Sequence, residues 1–201
     1  MSNPDIRAIL IGGSSHSGKS TLAEALGARP GWTHVSTDAL ARHPGRPWPL
    51  EDYADRPHVI EHYRDLSGDE LITEVLAHYK RQWPTLETLI ASHVKDTSKP
   101  CLVLEGSALW PEEVAGLEMP SVAALWLTAP DTFFEARIKA GSGYDSASPD
   151  GRALIEKFLA RTLRYNTLMM DAVRHHAGVA IDVSQNKDVD ALSARVMTRL
   201  A

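Results

Sequence analysis

The chain has 201 residues, a formal net charge of −5 and one cysteine, Cys101. That length suits one domain with a sizeable core, the acidic balance gives no electrostatic case for nucleic acid as the main ligand, and a lone cysteine excludes an internal disulfide. The first apolar run, Ile9-Leu10-Ile11, is too short for a signal peptide or a membrane span, so a soluble, cytoplasmic protein with no membrane partner is expected.

In chain order, residues 7–11 make a short apolar run suited to a buried parallel strand. Gly13, Ser14, Ser15, His16, Ser17, Gly18, Lys19 and Ser20 follow, with Thr21 after them. This stretch fits G-x-x-x-x-G-K-[ST], the phosphate-binding P-loop. A nucleotide's phosphates need several backbone N–H donors aimed at one spot, and glycines at both ends let the backbone bend and approach closely. Lys19 adds a point charge for the β- and γ-phosphates, and the Ser20 hydroxyl suits Mg²⁺. Residues 22–26 suit a helix whose positive end faces the loop, stopped by Gly27 and Pro30-Gly31.

Residues 32–36 read as a second strand, which runs on to Asp38. Ligands of open α/β sheets sit beyond the carboxyl ends of the strands, which puts Asp38 near the mouth of the P-loop. The alternative is an Asp that caps a helix over 39–42. Residues 43–50 carry three prolines and a glycine, which exclude helix and central strand. With Trp48, Arg42 and Arg46 this loop is either a substrate wall or a stiff connector with Trp48 tucked against the core. His58, Glu61 and His62 form an H-x-x-E-H pattern seen in zinc proteases. No third ligand accompanies it, and in a chain with nine histidines it is read as a polar helix face.

Ser67 and Glu70 make a capping box. Leu71, Ile72, Val75, Leu76, Tyr79, Trp83, Leu86 and Ile90 then keep helical spacing, with Pro84 expected to kink or split the helix. Roughly sixty residues thus separate strands two and three, more than a minimal crossover needs, so part is expected to form a helical flap on the substrate side. Residues 101–104 are the third strand, opened by Cys101 as a small buried residue. The strand ends in Glu105, where a P-loop protein places the carboxylate that holds Mg²⁺ directly or through water. Gly106 permits a sharp turn, and Pro111 opens a short helix.

Residues 122–127 are the fourth strand and 128–140 a helix with Arg137 near its end. Residues 141–150 read as a mobile polar loop. A helix over 152–177 carries an apolar side and a face with Lys157, Arg161 and Arg164; a strand at 179–183 and a helix at 189–200 complete the chain.

Gly12-Gly13-Ser14-Ser15, Ser36-Thr37-Asp38 and the Glu105-to-Pro111 turn, which fits E-G-x-x-L-x-P, complete a pattern. It resembles the small-molecule and nucleotide kinases of the P-loop superfamily across nearly the whole chain. The nearest echoes are the 2-phosphoglycerate kinase-like and chloramphenicol phosphotransferase-like proteins. The resemblance implies a single α/β domain with a five-stranded parallel sheet of order 2-3-1-4-5 and helices on both faces. It also implies a helical insert at about 51–97 and a lid at about 137–164. ATP and Mg²⁺ are the implied cosubstrates, with Ser20 and Glu105 at the metal and Gly13 to Thr21 and Arg137 around the nucleotide. Lys19, Asp38, Arg161 and Arg164 are the implied catalytic groups. Asp38 orients or deprotonates the acceptor hydroxyl and the arginines neutralise charge on the moving phosphoryl group. Solvated helix charge is the alternative for at least one arginine. The rival reading is a regulatory ATPase or GTPase switch, for which Asn186-Lys187-Asp188-Val189 offers only a fragment of a guanine-recognition segment. The acceptor is left as a sugar, an antibiotic or a phosphorylated acid near Arg42, Arg46, Trp48 and Tyr53, and both monomer and homodimer stay open.

Overall fold

Alternating side chains of the first strand, β1 (Ala8–Gly13), face two different helical layers, which explains why every residue in it is buried. The computed structural model describes residues 6–41, 45–48, 57–185 and 188–200. Arg42, Tyr53 and Asn186-Lys187 lie outside them. Ile9 and Ile11 join one core with Leu22 and Leu26 of α1 (Lys19–Gly27). Ala8 and Leu10 join the other with Val75, Leu86 and Ile90 of α3 (Gly68–Lys95). Between α1 and α3 come β2 (Trp32–Ser36) and α2 (Pro57–Asp65).

After α3 come β3 (Cys101–Glu105), α4 (Pro111–Ala115), β4 (Val122–Thr128), α5 (Asp131–Ser142), α6 (Pro149–His175), β5 (Ala180–Asp182) and α7 (Val189–Leu200). The strands form one sheet of order β2-β3-β1-β4-β5, all pairs parallel. This is the order the resemblance implied, with helices on both faces. α6 ties the layers together. Its Ile155 and Phe158 lie in the first core and its Tyr165, Met169 and Val173 in the second. Its middle turn therefore passes over the carboxyl edge of the sheet.

Several expectations shift. α3 runs unbroken through Pro84, which forfeits one ladder bond where the helix is already anchored by Trp83, Leu86 and Ile90. It starts at the expected capping box, with both reciprocal bonds made by Ser67 and Glu70. α3 also lies along the sheet, so the insert serves the core as well as the cleft. α5 begins three residues later than expected because Thr128 still pairs in the sheet with Asp182. The loop expected at 141–150 is a compact corner. α5 extends to Ser142, a short 3-10 turn covers Tyr144–Ser146, and α6 starts at Pro149 behind the Ser148 cap. Arg152 donates to the Tyr144 and Asp145 carbonyls at 3.1 and 2.7 Å, Tyr144 donates to Glu156, and Tyr144 and Ala147 pack on the first core. Among the described residues no helix is long and apolar enough to cross a membrane.

Candidate functional site

Register places the site. Glu105 pairs across from Ile11 on one side and Ser36 on the other, so β1, β2 and β3 end together at one edge. Two glycines make the close approach there possible. Gly13 has φ 144°, and a Cβ on it would lie 2.7 Å from the Leu127 carbonyl. Gly106 has φ 156°, and its Cβ would fall 1.8 Å from Thr37 Oγ1, so the turns after β2 and β3 interlock only through glycine.

The P-loop then wraps toward α1. Lys19 is buried and donates from Nζ to the Ser14 carbonyl at 2.8 Å. Burial lowers its pKa, against the nearby charges of Glu105 and Asp38. Ser20 Oγ donates to Glu105 Oε1 at 3.1 Å. Ser15, His16, Gly18, Lys19, Ser20 and Thr21 line a cleft of about 280 Å³ with Asp38, Glu105, Arg46 and Arg137. Gly13, Ser14 and Ser17 stand behind this wall. Ser14 Oγ donates to the Thr162 carbonyl of α6 at 3.0 Å, and Ser17 Oγ is buried with no partner among the described residues.

His16 takes the left-handed conformation at φ 64°, a strained choice for a histidine. Its Nδ1 is paired with Ser15 Oγ at 3.0 Å, and its ring lies 5.9 Å from Phe158 and 6.2 Å from Trp48. Burial first, then the charges of Arg46, Lys19 and Arg137, holds its pKa down at about 4, so the ring is neutral at physiological pH.

Asp38 faces the cleft and is exposed. Among the described residues its side chain caps nothing: the turn Thr37–Ala39 is capped by Ser36, whose Oγ accepts from the Asp38 N–H at 3.4 Å. The capping reading of Asp38 is thereby replaced. Arg137 also lines the cleft, lies 4.6 Å over the Phe133 ring and donates to the His16 carbonyl at 3.2 Å.

The other two arginines part company. Arg161 is 6% exposed, lines the cleft and donates from Nη1 to the Tyr63 hydroxyl at 2.5 Å. Arg164, one turn further along α6, is exposed and is not part of the cleft wall. Its helix face points away because Thr162, Tyr165 and Asn166 take the buried side. Trp48 is tucked edge-on against Phe158 at 4.8 Å, as the connector reading had it, while Arg46 of the same loop lines the cleft. His58 is exposed, His62 lies 3.6 Å from Glu74, and no group of three metal-ligating side chains occurs among the described residues. Cys101 is half-buried, and its Sγ accepts from Arg7 at 3.2 Å.

Sequence reasoning missed a supporting set. Buried Gln82 donates from Nε2 to the Thr37 carbonyl at 2.8 Å and so pins the turn that carries Asp38. Ser107 Oγ donates to the Gly13 carbonyl at 2.9 Å, and Tyr165 donates to the Ser107 carbonyl at 2.5 Å. A signal for Gln82 existed: it keeps phase with Val75, Tyr79 and Leu86 on the apolar stripe of α3, where a polar residue implies a buried partner. Tyr63 and Tyr79 read as ordinary core aromatics. Burial pushes the Tyr63 phenol up to about 12 and the Tyr79 phenol higher still, so both remain hydrogen-bond donors.

No protein-family model matches this chain, and no curated protein matches it by sequence. Solved structures do. A gluconokinase from Sinorhizobium meliloti 1021 is similar at 20% identity over 98% of this chain and 92% of that one, with a TM-score of 0.54. A sugar kinase from Janibacter sp. HTCC2649 is similar at 18% identity, covering 96% and 93%, with a TM-score of 0.55. A shikimate kinase from Aquifex aeolicus vf5 is similar at 13% identity, covering 96% and 95%, with a TM-score of 0.50. At such identities the likeness is one of fold. The chain has the P-loop α/β fold that these small-molecule kinases share.

Proposed function

We propose that this protein is an ATP- and Mg²⁺-dependent kinase that transfers the γ-phosphoryl group to a hydroxyl of a small molecule. The observation that carries the reading is the composition of one cleft. The P-loop with Lys19, the Ser20–Glu105 pair and the Asp38 carboxylate all line it at the carboxyl edge of the sheet. The fold shared with a gluconokinase, a sugar kinase and a shikimate kinase supports the same class. The short echoes of 2-phosphoglycerate kinase-like and chloramphenicol phosphotransferase-like proteins belong to this proposal too.

The residues present fit both cosubstrates. The loop backbone and the buried Lys19 ammonium, which donates to the Ser14 carbonyl, suit a polyphosphate. Ser20 and Glu105 supply neighbouring hard oxygens of the kind Mg²⁺ takes. When bound there, Mg²⁺ neutralises phosphate charge. Lys19 holds the β- and γ-phosphates, and Arg137, beside the His16 carbonyl, adds charge at the same end. Asp38 orients the acceptor hydroxyl and takes its proton as the new P–O bond forms.

The test is ATP consumption across a panel of hydroxyl compounds, with product mass measured. A mass gain of one phosphoryl group on an acceptor supports the reading. ATP hydrolysis with no acceptor modified overturns it in favour of a nucleotide switch.

A further inference from the structure

Two buried cations of the cleft hang on one residue. Lys19 and Arg161 are 9% and 6% exposed and come from different walls, the P-loop and α6. The Ser14 carbonyl accepts from Lys19 Nζ at 2.8 Å. The Ser14 hydroxyl donates at 3.0 Å to the carbonyl of Thr162, the residue after Arg161. Ser14 itself is buried behind the cleft wall, so its hydroxyl is out of reach of a bound substrate.

The tie to α6 grips main chain. A carbonyl has two lone pairs; in a helix one serves the ladder, and here the second takes Ser14. The Thr162 hydroxyl plays no part, since its Oγ1 is buried with no partner among the described residues. A bond to the main chain fixes the helix and not one rotamer. The neighbouring ties are less direct. Tyr165 reaches Gly13 only through Ser107, and Asn166 is bonded by Thr128 of β4, outside the loop. Of the ties at Thr162, Tyr165 and Asn166, that of Ser14 alone runs straight from the P-loop, and it lands beside Arg161. Arg161 needs such a reference. Its Nη1 donates to the Tyr63 hydroxyl, and among the described residues no group of the P-loop bonds the guanidinium. Its distance from Lys19 is therefore set through the backbone of α6.

We infer that Ser14 is a positioning residue. Its hydroxyl sets α6 against the P-loop, and so the spacing of Arg161 from Lys19, while its carbonyl holds Lys19. This rests on the kinase reading, in which both charges act on one reacting group, and it says what holds them in a common frame. Fixed charge is effective only at the right distance, and an error of about 1 Å can cost about a hundredfold in rate.

The test is a double-mutant cycle on the full chain. Turnover is followed as ATP consumption with the panel of hydroxyl compounds present, and calorimetry gives the affinity for a non-hydrolysable ATP analogue with Mg²⁺. Arg161→Gln is expected to lower kcat about tenfold to a hundredfold. Ser14→Ala removes the hydroxyl and leaves the carbonyl that serves Lys19. Its kcat should fall about tenfold, with analogue affinity held within about twofold. Placed on Arg161→Gln, Ser14→Ala should cost less than about a further twofold, because the group it positions is gone. Thr128→Val cuts the Asn166 tie on the same helix and controls for loosened packing. It should lower the melting temperature comparably and leave kcat within about twofold. Melting temperature also shows that each variant folds. The inference is overturned if Ser14→Ala turns over normally, if its effect multiplies in full with that of Arg161→Gln, or if Thr128→Val slows turnover equally. Loss of analogue binding in Ser14→Ala also overturns it, by making Ser14 a support of the loop alone. An unaltered chain that consumes no ATP, or hydrolyses it without modifying any compound, strikes the kinase reading instead.

Discussion

At the P-loop end of the cleft, Ser15, Gly18, Lys19 and Ser20 come from one unbroken stretch, while at the far end Tyr79 and Arg161 come from α3 and α6, with the buried Tyr63 of α2 behind Arg161. Tyr63 and Arg161 meet across 98 residues of chain. The first end works through backbone N–H groups and one fixed charge, so local geometry suffices. The second works through side chains that only packing brings together. Loss of the fixed charge should therefore abolish chemistry outright, whereas changes on the far wall should lower turnover in part.

The largest effect expected is at Lys19. Lys19→Ala removes the fixed charge nearest the phosphates in a site screened from water, and turnover should fall by about a thousandfold with weaker ATP binding. Near-normal turnover in a folded variant, measured by coupled ATP assay, would remove the distinction between the two ends.

Asp38→Asn comes next. It keeps the size and one acceptor oxygen but no base, so turnover should drop about a hundredfold or more. ATP affinity and melting temperature should stay close to the parent, because Ser36 and not Asp38 caps the turn. A large loss of ATP affinity would place this carboxylate with the nucleotide and not with the acceptor.

Gln82→Leu sharpens the comparison from the far wall. It leaves the buried Thr37 carbonyl without its donor, at a cost of about 1–3 kcal/mol in denaturant unfolding. Because the turn it pins carries Asp38, kcat should fall while the KM for ATP holds. An equal shift in both would mean that α3 supports the whole cleft without preference.

His16 gives a pH-dependent effect. Its folded pKa of about 4 lies below the ordinary 6.5, so on acidification the unfolded chain takes up the proton first. That contribution to stability is fully present above about 6.5 and is lost as pH falls from about 6.5 to about 4. Comparing wild type with His16→Gln by denaturant titration at several pH values, the variant should lose less over this window. With the ring partly exposed, the difference should be about 1–2 kcal/mol. Parallel pH curves for the two proteins would contradict the half-buried, neutral ring.

The smallest effect belongs to Arg164. Exposed and outside the cleft wall, Arg164→Ala should leave turnover within about twofold and stability within about 0.5 kcal/mol. Set beside Arg161→Gln, it separates two arginines that share a helix face in the sequence reading. A tenfold drop in turnover would return Arg164 to the site.

Much of the fold was legible because its signals are local. The apolar runs of β1, β3 and β4, the capping box at Ser67 and the glycines of the P-loop each act within a few residues, and their spacing carries the geometry. Asp38 and Glu105 were legible for a related reason: a parallel sheet brings its strand ends to one edge, so an acid just past a strand is positioned by topology alone. The corner at 141–150 was not legible, because its order comes from Arg152, Glu156 and the core beneath Tyr144, outside the loop's own composition. Nor was the division between Arg161 and Arg164. Helical phase puts both on one side, and only the packing of α6 against the P-loop and α2 decides which is buried. The sequence by itself thus determined the phosphate-binding loop, the strand ends and the sheet they belong to, since these depend on short-range backbone geometry. Tertiary structure alone decided that Gln82 holds Thr37, that Tyr63 holds Arg161 and that Trp48 belongs to the core. Each is a contact between elements far apart in the chain, chosen by which faces bury together.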